Sequence, residues 1–172
     1  YLATRHLIEQ GYRKIAHLAG SLNLKIYQNR LEGYRAALKE AGLSPNPAWI
    51  IESDLQMESG RELMEQLLDQ PDRPDAVFSA SDYAAVGAMQ ILKDRGIRIP
   101  EQVAVAGFSD EPFTRFIDPP LTSVKQFSYG MGREAARMFL EQIAVGRRER
   151  VIHQTRLQPE LVIRASSLKK GN

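Results

Sequence analysis

The feature that most limits what this chain can fold into is a regular switching between two hydrophobic periods over its first 110 residues. Short, nearly unbroken apolar runs, IAHLA, WII, AVFSA and VAVAGF, alternate with longer segments whose apolar residues recur every three or four positions. An apolar run of this length offers no solvent side, so it suits a strand covered on both faces. The intervening segments carry one apolar stripe each. Leu31, Tyr34, Ala37, Leu38 and Ala41 keep helical spacing between about 29 and 41, as do Leu63, Met64, Leu67 and Leu68 between 57 and 68. LATRHLIEQ is a shorter helix with Leu7 and Ile8 inward and Gly11 as its stop, and Ser81 or Asp82 opens another that runs to about Arg95 before Gly96. Helices and strands in strict alternation predict an α/β fold: an open parallel sheet with helices on both faces.

Beyond residue 110 the rhythm breaks. EPFTRFIDPPL is irregular, LTSVKQF reads as a short strand, and 131–145 reads as an amphipathic helix with Ala135, Met138, Phe139, Gln142 and Ile143 on one flank. VIHQTRL and ELVIR read as strands split by Gln158-Pro159, ahead of a polar tail. The strand and helix between about 121 and 150 have no evident partner layer in the first sheet.

Composition narrows the chemistry. With no cysteine among 172 residues, the chain has no disulfide, zinc thiolate, iron–sulfur ligand or thiol nucleophile. Lys and Arg number 23 against 21 Asp and Glu, without the basic excess of a self-sufficient nucleic-acid binder, so any DNA contact is expected elsewhere. No apolar run approaches the ~20 residues that span a bilayer, so no membrane partner is expected. His6, His17 and His153 share no metal-ligand spacing and read as core or surface histidines. Ser79, Ser81 and Ser109 close strands outside any G-x-S-x-G elbow, and Gly130-Met131-Gly132 lacks the rest of a phosphate loop. Neither an enzyme nor a bound cofactor or metal is expected. The basic runs Arg147, Arg148, Arg150 and Lys169, Lys170 read as solvated ends.

In open parallel sheets ligands bind beyond the carboxyl ends of the strands. Those ends begin here at Gly20, Ser53, Ser79 and Gly107, where polar residues gather. Asp82 opens a helix there. Arg30 reads as part of a helix's first turn, where its charge opposes the macrodipole unless it pairs or binds something. Ser109-Asp110 follows VAVAGF directly. An arginine with five donors, together with carboxylates and hydroxyls in one crevice, suits a polyhydroxylated or anionic small molecule.

Longer strings then add a likeness. HLIEQGYRKIAHLAG, NRLEGYRAALKEAGL, DAVFSASDYAAVGAMQILKDRGIRIPEQVAVAGFSDEPF, PPLTSVKQ and PELVIRASS, in that order and over nearly the whole chain, resemble the effector-binding region of bacterial transcriptional regulators of the lac repressor and purine repressor family. The resemblance implies a type I periplasmic-binding-protein-like fold, a two-lobed clam-shell preceded by a helix-turn-helix headpiece, in which effector binding alters operator affinity. It further implies that this chain is a fragment: 1–118 would be the C-terminal effector-binding subdomain, 119–150 a crossover strand and helix of the N-terminal subdomain, and 151–172 the returning strands and tail. The headpiece, the only DNA contact, would lie outside it. The product would be cytoplasmic. A periplasmic sugar-binding protein of a transport system shares the fold and is the alternative.

Carried over position by position, Arg30 matches the family arginine that grips effector, and Asp82 the acid of its Asn-Asp pair, with Ser81 in place of Asn. Ser109 replaces the first acid of the family's Gly-Phe-Asp-Asp string and Asp110 is the second. Leu55 stands where sugar-responsive relatives place a stacking aromatic, so the effector, sugar-like or otherwise polar, stays open. Family members pair through the C-terminal subdomain, which implies a homodimer through Val86, Met89, Gln90, Lys93 and Phe113.

Overall fold

The computed structural model describes residues 1–145 and 154–169. The helix–strand alternation holds as far as the fourth strand. In order come α1 (Leu2–Glu9), β1 (Ile15–Ala19), α2 (Lys25–Glu40), β2 (Ile50–Glu52), α3 (Met57–Leu68), β3 (Ala76–Ser79), α4 (Asp82–Asp94), β4 (Ala104–Ser109), β5 (Thr122–Lys125), α5 (Ser128–Val145) and β6 (Glu160–Val162). The strands form one sheet in the order β2-β1-β3-β4-β5-β6. All neighbouring pairs are parallel except β5 and β6, which run antiparallel.

Covering both faces of a parallel sheet demands two cores, and the strand alternation supplies them. On one face Ala16, Leu18, Val77 and Val105 meet Leu63, Met64, Leu67 and Leu68 of α3 and Ala84, Ala85, Ala88 and Leu92 of α4. On the other, Ile15, Ala76, Phe78, Ala104 and Ala106 meet Leu7 of α1 and Leu31, Tyr34 and Leu38 of α2. His17 lies in this second layer, its ring stacked between Tyr34 and Phe78 at centroid distances of 5.2 and 4.8 Å. It is therefore a core histidine, as is His6, whose Nε2 is 2.8 Å from Ser167 Oγ.

Helices α3 and α4 pack backbone to backbone. A Cβ placed on Gly60 would lie 2.1 Å from Ala84 O, and one on Gly87 would lie 1.9 Å from Met57 O. Only glycine permits that approach.

Three expectations need correction. The strand within LTSVKQF, assigned above to another layer, is β5 and continues this sheet: Ala106, Gly107, Phe108 and Ser109 of β4 face Thr122, Ser123, Val124 and Lys125 in register. Its small polar residues hid the match, because Thr122 and Ser123 are buried by hydrogen bonding and not by hydrophobicity. The second concerns VIHQTRL: residues 154–157 form no strand, and 151–153, with His153, lie outside the described residues, as do Arg147, Arg148 and Arg150. The third concerns Met89, named above for the pairing surface, which is 3% exposed and packs in the α3/α4 core, reaching the outer side of α4 only as one lining residue of a groove there.

Among the described residues the helix beyond β5 is only thinly covered, by the segment around Thr155 and Leu157. Met131, Phe139, Leu140 and Ile143 of α5 are each more than half exposed.

Candidate functional site

The strand order reverses direction beside β1, whose neighbours are β2 and β3. Chain leaving the carboxyl ends of β1 and β3 diverges to opposite faces, which opens a crevice at that switch point. Arg30 reaches into it. Because α2 starts at Lys25, Arg30 lies in the second helical turn and not the first, so the macrodipole argument made from the sequence does not apply. The reason the start was misread is local: Leu24, at the N-cap position, offers no capping side chain, and the first turn has no acidic residue.

The guanidinium is held on two sides. Nη1 donates to Ala80 O, just past β3, at 2.6 Å. The Phe108 ring, at the end of β4, lies under it with 3.7 Å from Cζ to the ring centroid, and Tyr27 is 5.3 Å away on its own helix. Tyr27 in turn lies against the end of β1, where a Cβ on Gly20 would come within 2.6 Å of its ring. Burial pushes the Arg30 pKa below its ordinary value, and the neighbouring Tyr27 and Asp82 offset part of that. Among the described residues no carboxylate forms an ion pair with it. A half-buried cation braced by an aromatic face and one carbonyl, with donors to spare, is a preformed seat for an anion or a set of hydroxyls.

The other expected residues divide by depth. Ser81 and Ser109 are partly exposed at this edge. Ser81 Oγ accepts from Tyr83 N at 3.2 Å and so caps α4, while Ser109 Oγ accepts from Gln126 Nε2 at 3.1 Å. Asp82, expected to meet ligand, is fully buried instead. Its Oδ1 accepts from Ser123 Oγ at 2.6 Å and its Oδ2 from the Glu111 amide at 2.8 Å. Burial pushes its pKa up, the two hydrogen bonds pull it back, and Asp110 and Glu111 push it up again. Its place beneath the sheet edge depends on Gly107, since a Cβ there would lie 2.2 Å from Asp82 Oδ1.

The Asp110 side chain is 3% exposed and paired with Arg164 at 2.6 Å, so it too supports the edge from behind. Leu55 is 3% exposed within the α3/α4 core and presents no surface. The sequence reading missed Phe108, Tyr27 and Gln126. Phe108 was legible as the last residue of an apolar strand, but only the fold shows that its face meets Arg30.

Comparison with known proteins was then decisive for the family. The family of periplasmic binding protein-like domains matches residues 4–167. The chain belongs to that family. This periplasmic binding protein-like domain is 40% identical over 168 residues to the HTH-type transcriptional repressor PurR of Haemophilus influenzae, covering 96% of this chain and 50% of that protein. It is 39% identical over 168 residues to the repressor CytR of Escherichia coli, covering 96% and 48% respectively. Among solved structures it superposes on a transcriptional regulator CelR–cellobiose complex with a TM-score of 0.87 and 40% identity, over 95% of this chain and 50% of that one. A sugar-binding LacI-family regulator of Escherichia coli in complex with phosphate gives 0.87 and 32%, over 96% and 58%. The domain spans about half the length of the curated relatives it matches. These relatives are transcriptional regulators, neither transport proteins nor enzymes.

Proposed function

We propose that this chain is the ligand-sensing part of a LacI-type transcriptional regulator, holding a small polar effector over the carboxyl edge of its sheet. The observation that carries the reading is the braced, unpaired guanidinium of Arg30 at the switch point. Ser109 and Ser81 add hydroxyls beside it, while Asp82 and Asp110 hold the edge from below. The effector class is a sugar, a nucleoside or another molecule rich in hydroxyl or anionic oxygen.

On this reading a second lobe, outside the chain, closes over the effector, and a DNA-binding segment, also outside it, reads the operator. The exposed apolar flank of α5 faces that second lobe, so the crossover assigned to 119–150 reduces to α5, β5 having joined the sheet. The regulator works in the cytoplasm, as a homodimer without catalytic activity. Among the described residues, no helix is long and apolar enough to cross a membrane. The pairing surface is the outer face of α4: Val86, Met89, Gln90 and Lys93 line a groove of about 400 Å³ with Ile117 and Asp118, flanked by Phe113 against Tyr83 and by Phe116, which is 85% exposed.

The test is titration calorimetry of the full-length protein against a panel of cellobiose, ribose, nucleosides and purine bases. A member that binds wild type should lose about 1.5 to 3 kcal/mol of affinity with Arg30→Ala, the worth of a charge-assisted hydrogen bond. Unchanged affinity would remove Arg30 from the site.

A further inference from the structure

The turn that follows β4 is the least comfortable backbone at the sheet edge. Ser109 has φ of 126° and Asp110 has φ of 55°, two successive left-handed residues that are not glycine. Asp tolerates the left-handed region better than most residues, but Ser at 126° does not, and two such residues in a row persist only where surrounding contacts over-determine them. Those contacts come from three directions. The Asp110 amide donates to Ser123 Oγ at 3.0 Å, and that hydroxyl in turn donates to Asp82 Oδ1. The Glu111 amide donates to the other oxygen of Asp82. The Asp110 carboxylate is gripped by Arg164, which follows β6.

Arg164 is the hub of that third contact. Its Nη2 donates to Asp110 Oδ1 at 2.6 Å, and its Nη1 donates to Leu121 O at 2.7 Å and Thr114 Oγ1 at 3.1 Å. Its own amide donates to Thr122 Oγ1 at 2.8 Å. One side chain thus ties β6, the start of β5 and the turn after β4 together. Its side chain is 13% exposed and that of Asp110 3%. Among the described residues, removing Arg164 leaves the buried carboxylate only the Thr114 hydroxyl at 3.4 Å and the exposed Arg115 guanidinium at 3.9 Å, and removing Asp110 leaves Arg164 with neutral acceptors alone. The turn it secures begins at Ser109, whose hydroxyl accepts from Gln126 at the point where the chain leaves β5 for α5.

We propose that Arg164 is a positioning residue for the effector site: its buried pair with Asp110 locks the strained Ser109–Glu111 turn, and so places Ser109 and Gln126 at the cleft. The inference rests on the effector reading for its binding consequence but not for its structural one. Arg164 touches no effector itself. It also joins the site to both passages of chain between the sheet and α5, since β6 is the return strand and Gln126 the departure.

The experiment uses the full-length regulator with Arg164→Met, Arg164→Lys and Asp110→Asn, read by hydrogen exchange and by calorimetry with the panel of cellobiose, ribose, nucleosides and purine bases. In Arg164→Met the amides of Asp110 and Glu111 should exchange at least about tenfold faster, while those of β1 and β3 keep their protection. Affinity for a panel member that binds wild type should fall about tenfold or more, and Arg164→Lys should recover part of both. If Arg164→Met does not fold, Asp110→Asn, which keeps shape and acceptor, carries the same two readouts. Unchanged exchange at 110 and 111 overturns the latch. Faster exchange with unchanged affinity overturns the positioning role. Failure of every panel member to bind wild type counts against the effector reading alone, because the exchange measurement still decides whether the latch exists.

Discussion

His17 makes the fold sensitive to mild acid, by an amount that follows from its surroundings. The residue is wholly buried in β1, stacked between Tyr34 and Phe78, with Nδ1 3.0 Å from Phe78 O. That carbonyl can only accept, so Nδ1 carries the proton, and Nε2 has no partner among the described residues. A second proton would put a cation in an apolar layer. Burial accordingly lowers the pKa from 6.5 to about 4, the carbonyl hydrogen bond only partly opposing it. Between those two values the unfolded chain binds a proton that the folded chain refuses, so stability rises with pH across this window. The contribution is fully present above about pH 6.5 and is lost as pH falls toward 4. Linkage puts the loss at about 2 kcal/mol by pH 5 and about 3 kcal/mol by pH 4, relative to pH 7. Asp82, whose pKa is raised, works in the opposite sense, and His6, whose pKa burial also lowers, in the same sense, so the wild-type curve alone does not isolate His17. Urea unfolding of wild type and His17→Phe at pH 7, 5 and 4 does, because the other groups are common to both. The variant preserves the aromatic stack, and its stability relative to wild type should improve by about 3 kcal/mol on going from pH 7 to pH 4. A difference that stays constant with pH would refute the assignment of His17 as a buried neutral histidine.

The remaining predictions concern packing and assembly. Gly87→Ala gains up to about 1 kcal/mol of helix propensity but drives a methyl into Met57 O at 1.9 Å, a backbone clash that costs about 1 to 3 kcal/mol or more. The melting temperature should therefore fall, and a value at or above wild type would mean that α3 and α4 separate without penalty. Val86→Glu in the full-length protein should shift sedimentation from dimer to monomer, and a dimer that persists would move the interface off α4. Limited proteolysis of the present chain should cut within α5 while the body from β1 to β4 survives, given the exposure of Phe139, Leu140 and Ile143. An uncut monomer would show that the flank is covered by its own chain.

How much of this was legible beforehand depended on the kind of interaction involved. The alternation of apolar runs and helical stripes determined the parallel sheet and its two covered faces, because hydrophobic burial is written one residue at a time in a period the eye can count. Arg30 was expected at the carboxyl edge of the sheet, and its contacts with Ala80 and Phe108 put it there. What the sequence left to the tertiary structure was everything settled by polar contacts between distant segments. β5 joined the sheet by pairing with β4 while burying the hydroxyls of Thr122 and Ser123, Asp82 turned under the edge to Ser123 and Glu111, and Asp110 paired with Arg164, 54 residues away. No periodicity announces such pairs. A charged residue beside a strand end reads the same whether it faces a ligand or a partner, and which it faces is decided only when folding brings that partner within hydrogen-bond reach and removes the water that would have served in its place.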